Sequence, residues 1–151
     1  MCRRDRVSEN RLIILQARRI LFRLYHDKGL AVGRRHVTVS TCGIVPKIKE
    51  FTKEKAGVNL AISLHAPTDL VRDKIMPINK AYKIGDIMNA VRDYIAKTNR
   101  RVTFEYILLR GVNDSEECAI KLVNLLKGLN CYVNLIPYNE TSHIEYKTSP
   151  K

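Results

Sequence analysis

Apolar and polar residues follow two rhythms along this chain, one of helical period and one suited to strands, and the two take turns. From Ser8 the rhythm is helical: Ile13, Ala17, Ile20, Leu21 and Leu24 fall at i, i+4, i+7, i+8 and i+11 and form one apolar stripe. Ser8 is a suitable N-cap with Glu9 behind it, Arg11, Arg18, Arg19 and Arg23 lie mostly off the stripe, and Gly29 ends the helix. Arg35 to Thr41 then alternates with period two, which predicts a strand with Thr38 and Ser40 on one face and Val37 and Val39 on the other. Cys42-Gly43 makes a turn, Pro46 suits the first turn of a helix, and Ile48 and Phe51 give that helix its buried side.

Val58, Leu60, Ala61, Ile62 and Leu64 make an apolar run too short for a helix and too continuous for a half-exposed strand. Such a run fits a strand covered on both faces, as in a parallel sheet. It breaks abruptly into Ser63, His65 and Ala66-Pro67. Thr68-Asp69 starts a short helix to about Met76, stopped by Pro77, and Ile84, Ile87, Met88, Val91 and Ile95 mark a longer amphipathic one. Arg101 to Leu109 is the third strand. Asp114 to Glu117 supplies a capping box for a helix with the stripe Ala119, Leu122, Val123 and Leu126, closed by Gly128. Tyr132 to Pro137 is the last strand, with Tyr138-Asn139 just past its end. The tail, 140–151, has no period and reads as loose. Strands alternating with helices at this spacing predict an α/β fold with right-handed crossovers and four parallel strands, either a small open sheet or an arc of a larger barrel.

Composition changes this picture little and charge changes it more. With 151 residues, 45% apolar and 28% charged, the chain has the makings of one globular domain. Its net charge is +12, densest at the start, and an RNA partner follows naturally from a basic excess of this size. The bland alternative is a basic protein without such a partner. No apolar run approaches a membrane span, and the basic start lacks the uninterrupted apolar core of an export signal, so the expectation is a cytoplasmic protein. Cysteines 2, 42, 118 and 131 form no C-x-x-C pair and suggest no metal site.

The candidate chemistry lies where the strands end. Thr38 and Ser40, Ser63 and His65, Thr103 and Glu105, and Asn134 with Asn139 put polar groups near the carboxyl end of each strand, where α/β proteins place their ligands. Either a shared ligand or an internal hydrogen-bond network would satisfy them. The nucleotide-binding, hydrolase, zinc-protease and kinase motifs are absent.

Five motifs in order carry a resemblance: R-R-H-V-T-V-S-T-C-G-I-V-P-K-I, L-A-I-S-L-H-A-P, I-M-P-I-N-K, T-F-E-Y-I-L-L-x-G-V-N-D and V-N-L-I-P-Y-N. From about Gly29 to Asn139 the chain resembles the RlmN/Cfr family of radical S-adenosylmethionine methyltransferases, which methylate an adenine in large-subunit ribosomal RNA and, for RlmN members, also act on transfer RNA. The resemblance implies a partial β6/α6 radical-SAM (TIM-like) barrel over 29–139, its four strands being the third to sixth. The basic helix, 1–28, would correspond to the one after the second strand. It implies S-adenosylmethionine contacts at Ser40, at Ser63, Leu64 and His65, and at Asn139.

The same resemblance exposes departures. The family holds a [4Fe-4S] cluster on C-x-x-x-C-x-x-C at its first strand, and this chain has no such motif. The G-E-P segment of the second strand and the methyl-carrying cysteine are also missing, and Cys118 matches neither functional cysteine. The expectation is therefore a carboxyl-side barrel segment, truncated or split from its other half, with no catalytic and no metal-binding residue of its own and inactive alone. Two alternatives are a non-catalytic module binding S-adenosylmethionine or RNA, and an inert fragment whose open barrel edge is covered by a complementary chain or by self-association.

Overall fold

A computed structural model of the chain describes residues 33–54, 57–140 and 145–150. The helix expected from Ser8 to Gly29, and with it the segment 1–28, lies outside the described residues. The chain divides into two compact units, Met1–Val37 and Thr38–Lys151. In the first, Arg34–His36 forms a single 3-10 turn, with the His36 N–H donating to Gly33 O at 2.8 Å. The strand anticipated from Arg35 thus starts later. Val37 donates its own N–H to Arg34 O, and the ladder opens only at Thr38.

The second unit is a parallel sheet with helices. Its strands are β1 (Thr38–Thr41), β2 (Asn59–Ser63), β3 (Val102–Leu108) and β4 (Cys131–Pro137), hydrogen-bonded in that order and all parallel. The connecting helices are α1 (Val45–Lys53), α2 (Asp69–Ile75), α3 (Ile84–Thr98) and α4 (Glu116–Leu126), with a 3-10 turn at Pro77–Lys80 between α2 and α3. The local causes are those read from sequence. Pro46 sits in the first turn of α1, and the Thr68 hydroxyl caps α2 by accepting from the Val71 N–H. Met76, before Pro77, is extended and ends α2.

Registry separates the two faces of the sheet. Leu60 pairs with Val102, and Ile62 with Phe104; all four are buried, and they pack with Leu64 and Tyr106 against Ile48 of α1 and Ile87, Met88 and Val91 of α3. At roughly 2 kcal/mol for each fully buried large aliphatic or aromatic side chain, this face is the main source of stability. The opposite face carries Ser40 beside Ala61, Thr103 and Tyr132, then Ser63 beside Glu105 and Asn134. At the centre of β2, Leu60, Ala61 and Ile62 are all buried, as an apolar strand covered on both sides should be. The outer strand differs. Tyr132 and Leu135 of β4 are 58% and 56% exposed.

Two details depart from the sequence reading. In α4 the buried residues are Leu122 and Leu126, while Val123 is 68% exposed and Ala119 is also exposed. The Ser115 hydroxyl accepts from the Cys118 N–H, but the return bond of a capping box needs Glu or Gln at that position, which cysteine cannot replace. The tail also has partners in its described part. Thr148 bridges Leu109, Arg110 donates to Lys147 O, Ser149 donates to Asp114 Oδ2 at 2.6 Å, and the Tyr146 hydroxyl donates to Lys74 O. Having no period, it shows none of this in sequence, because its contacts are to other elements rather than to itself.

Candidate functional site at the strand ends

A parallel sheet puts the carboxyl ends of all its strands along one edge, so the polar residues there are neighbours by construction. Ser40 on β1 pairs with Ala61 on β2, and Ser63 follows two residues later on the same face. Ser40 is exposed and Ser63 half-buried, and among the described residues neither hydroxyl has a protein hydrogen-bond partner. Glu105 and Asn134 instead satisfy each other, Asn134 Nδ2 donating to Glu105 Oε2 at 2.7 Å. The network reading therefore accounts for Glu105 and Asn134.

His65 stands two residues past the end of β2 with a φ of 57°, a left-handed backbone that residues other than glycine rarely adopt. Its N–H donates to Glu105 O, and its Nδ1 accepts from the Ile107 N–H at 3.1 Å. Burial, and then the Arg72 guanidinium, hold the imidazole below its ordinary pKa, with Glu105 opposing them. Leu64 is different in kind. Its side chain lies in the core, its N–H donates to Glu105 O and its carbonyl accepts from Arg72 Nε, so any part it takes at the site comes through its peptide. Asn139 is exposed at the same edge, past the end of β4 and two strands from β2. Its neighbours are pinned: Thr148 donates its hydroxyl to Tyr138 O at 2.6 Å and its N–H to Glu140 Oε1 at 3.0 Å.

Behind these residues lie three buried side chains to which the sequence reading gave no role. Arg72 on α2 has no exposed surface, yet its guanidinium donates to Leu64 O, to Cys42 O at 2.8 Å, to Ser63 O at 3.1 Å and to Asn79 Oδ1. It rivets the ends of β1 and β2 together. Asn79 is fixed in turn by donating to Asp73 Oδ1 at 2.8 Å. Asn113, 2% exposed, binds His65 to the end of β3: Nδ2 donates to His65 O and Ile107 O, and Oδ1 accepts from the Leu109 N–H. Asn79 and Asn113 fall inside the I-M-P-I-N-K and G-V-N-D motifs, and those motifs were the available signal. For Arg72 there was none, since an arginine on a short charged helix normally faces water.

No family model matches the chain. It is 59% identical over 124 residues to the probable dual-specificity RNA methyltransferase RlmN of Spiroplasma citri, covering 82% of this chain and 36% of that protein. It is also 59% identical over 126 residues to the corresponding protein of Bacillus licheniformis, covering 83% and 35%. A solved radical SAM methyltransferase from Sphaerobacter thermophilus matches with a TM-score of 0.81 at 46% identity, over 84% of this chain and 37% of that one. The chain is homologous to one segment of RlmN. It spans only 35–36% of the length of these RlmN relatives. A domain of pyruvate-formate lyase-activating enzyme from Bacteroides vulgatus, 17% identical with a TM-score of 0.54 over 76% of this chain and 67% of that one, shares the fold alone.

The RlmN-like segment suits one of the family's two cofactors. S-adenosylmethionine presents ribose hydroxyls, an amino acid end and a purine; the hydroxyls of Ser40 and Ser63, without a protein partner among the described residues, and the half-buried His65 ring are groups able to hydrogen-bond to them. The iron–sulfur cluster does not fit. Cys42, Cys118 and Cys131 are free thiols on separate elements, and among the described residues no three metal-binding side chains converge.

Proposed function

We propose that this chain supplies the S-adenosylmethionine-binding strand ends of an RlmN-type RNA methyltransferase. The observation that carries the reading is the pair of serine hydroxyls on one face near the ends of β1 and β2, which have no protein partner among the described residues, with His65 held just past β2 by the Ile107 N–H. In the whole enzyme the reaction would be methylation of an adenine carbon in ribosomal and transfer RNA, with S-adenosylmethionine as methyl source. A cluster ligated by another part of the protein would supply the electron. This segment's residues bind and orient: Ser40 and Ser63 offer hydroxyls, His65 a ring nitrogen, and Asn139 an amide. The net charge of +12 favours an RNA partner, and free thiols scattered over separate elements favour a cytoplasmic setting. The exposed apolar face of β4 supports docking of further polypeptide, from a complementary chain or a second copy.

A segment exchange tests this. The RlmN of Bacillus subtilis is 54% identical to this chain over 126 residues, 35% of its length. Replacing that stretch with this chain is expected to preserve adenine methylation, read by mass spectrometry of digested RNA. Ser63→Ala and His65→Ala in the chimera should each lower it at least about tenfold, the loss of one or more hydrogen bonds to the bound cofactor. A folded chimera without activity would sink the functional reading, and an active one indifferent to both substitutions would sink the site.

A further inference from the structure

We propose that Asn113 is a positioning residue that holds His65 as a neutral imidazole protonated at Nε2, so that the strand-end site presents a hydrogen-bond donor and selects a ligand offering an unprotonated oxygen or ring nitrogen there. The proposal deepens the reading of these strand ends as an S-adenosylmethionine site and rests on it.

The argument starts from the donor that leaves no choice. A backbone N–H only donates, so the 3.1 Å bond from Ile107 N to His65 Nδ1 requires a lone pair on Nδ1, and the ring proton must then sit on Nε2. Among the described residues Nε2 has no protein partner. A second proton on Nδ1 would face the Ile107 N–H head on. Of the charged groups around the ring, Arg72 from α2 opposes that proton and Glu105 from β3 favours it.

Asn113 fixes both ends of this bond. One Nδ2 hydrogen goes to His65 O at 2.8 Å and the other to Ile107 O at 2.7 Å, so the same amide grips the residue that carries the imidazole and the residue that donates to it. Its Oδ1 accepts from Leu109 N at 2.7 Å, and its own carbonyl accepts from the Tyr106 hydroxyl at 2.7 Å. Every polar group of the side chain is thereby engaged, which leaves the amide one orientation. The left-handed backbone of His65, costly for any residue with a Cβ, is held by this clamp. Aspartate in place of Asn113 could still accept from Leu109 but could donate to neither carbonyl.

The test is tautomer-sensitive nitrogen NMR on the 15N-labelled chain across pH, with the His65 signals assigned by their loss in His65→Gln. In the unsubstituted chain we expect an unprotonated Nδ1 and a protonated Nε2, with titration below the ordinary 6.5. In Asn113→Ala and Asn113→Asp we expect mixed tautomers and, for the aspartate, a titration moved upward. A protonated Nδ1 in the unsubstituted chain, or unchanged tautomers in both variants, would overturn the proposal; should Asn113→Ala not fold, Asn113→Asp, which keeps the bond from Leu109 N, decides. A parallel calorimetric titration with S-adenosylhomocysteine separates the two readings. An affinity at least tenfold weaker in Asn113→Ala supports the proposal. The expected tautomer with no binding in the unsubstituted chain upholds the positioning and rejects the cofactor site.

Discussion

Arg72 is the residue whose loss should be felt most. Its guanidinium has no exposed surface and four acceptors, three of them main-chain carbonyls at the ends of β1 and β2. Deleting a buried charged donor leaves those carbonyls unsatisfied, at a cost of about 3 kcal/mol or more, and lysine cannot reproduce the planar fork. Urea unfolding of Arg72→Ala should therefore show at least that loss, with Arg72→Lys recovering less than half. Gly43 is held to glycine by the same cluster. A Cβ there would meet Ile87 Cδ1 at 2.6 Å and Arg72 Nη2 at 3.3 Å, on a backbone with φ of 98°. Gly43→Ala should cost roughly 1–3 kcal/mol from the conformation alone, and pairing it with Ile87→Val should relieve only the collision.

His65 gives a pH prediction. Its folded pKa lies below the ordinary 6.5, chiefly through burial and then Arg72, so as pH falls the unfolded chain takes up this proton first. The stability it contributes is complete above about 6.5 and is lost as pH falls from there through the folded value. Asp73 and Asp114, whose pKa values are held below 3.8 by their hydrogen bonds, lose theirs in a separate, more acidic window. Stability measured between pH 7 and 5 should fall less steeply in His65→Gln than in the unsubstituted chain. Ser63 and His65 were legible in sequence as a polar break in an apolar strand. Asn113 showed only through its motif and Arg72 not at all, because burial of a polar side chain against main-chain carbonyls leaves no mark in an apolar pattern.

At the scale of elements, the strands were easier to read than the faces of the helices. β2 and β3 announce themselves by apolar runs and period two, and α2 by its Thr68 cap and the proline after it. For α4 the apolar period alone could not say which of two adjacent stripes faces the sheet. The structure selects Leu122 and Leu126 and leaves Ile120 and Val123 outside, 55% and 68% exposed. Leu122→Ala should accordingly destabilise by about 2 kcal/mol or more, while Val123→Ala should stay within about 0.5 kcal/mol. Chemical denaturation of the two variants side by side checks the choice of face.

For the molecule as a whole, the four-stranded sheet ends in the exposed strand β4, and the homologous stretch fills 35–36% of the RlmN relatives named above. Lacking the cysteine triplet, the chain should take up no cluster on anaerobic iron–sulfur reconstitution, and cysteine-ligated absorption in the visible would refute this. The most direct measurement is an amide NMR titration of the chain with S-adenosylmethionine. Saturable shifts centred on Ser40, Ser63 and His65, with Asn139 following, are the expected result. Saturation centred on the amino-terminal ends of the strands, or no shift at millimolar ligand, would contradict the account.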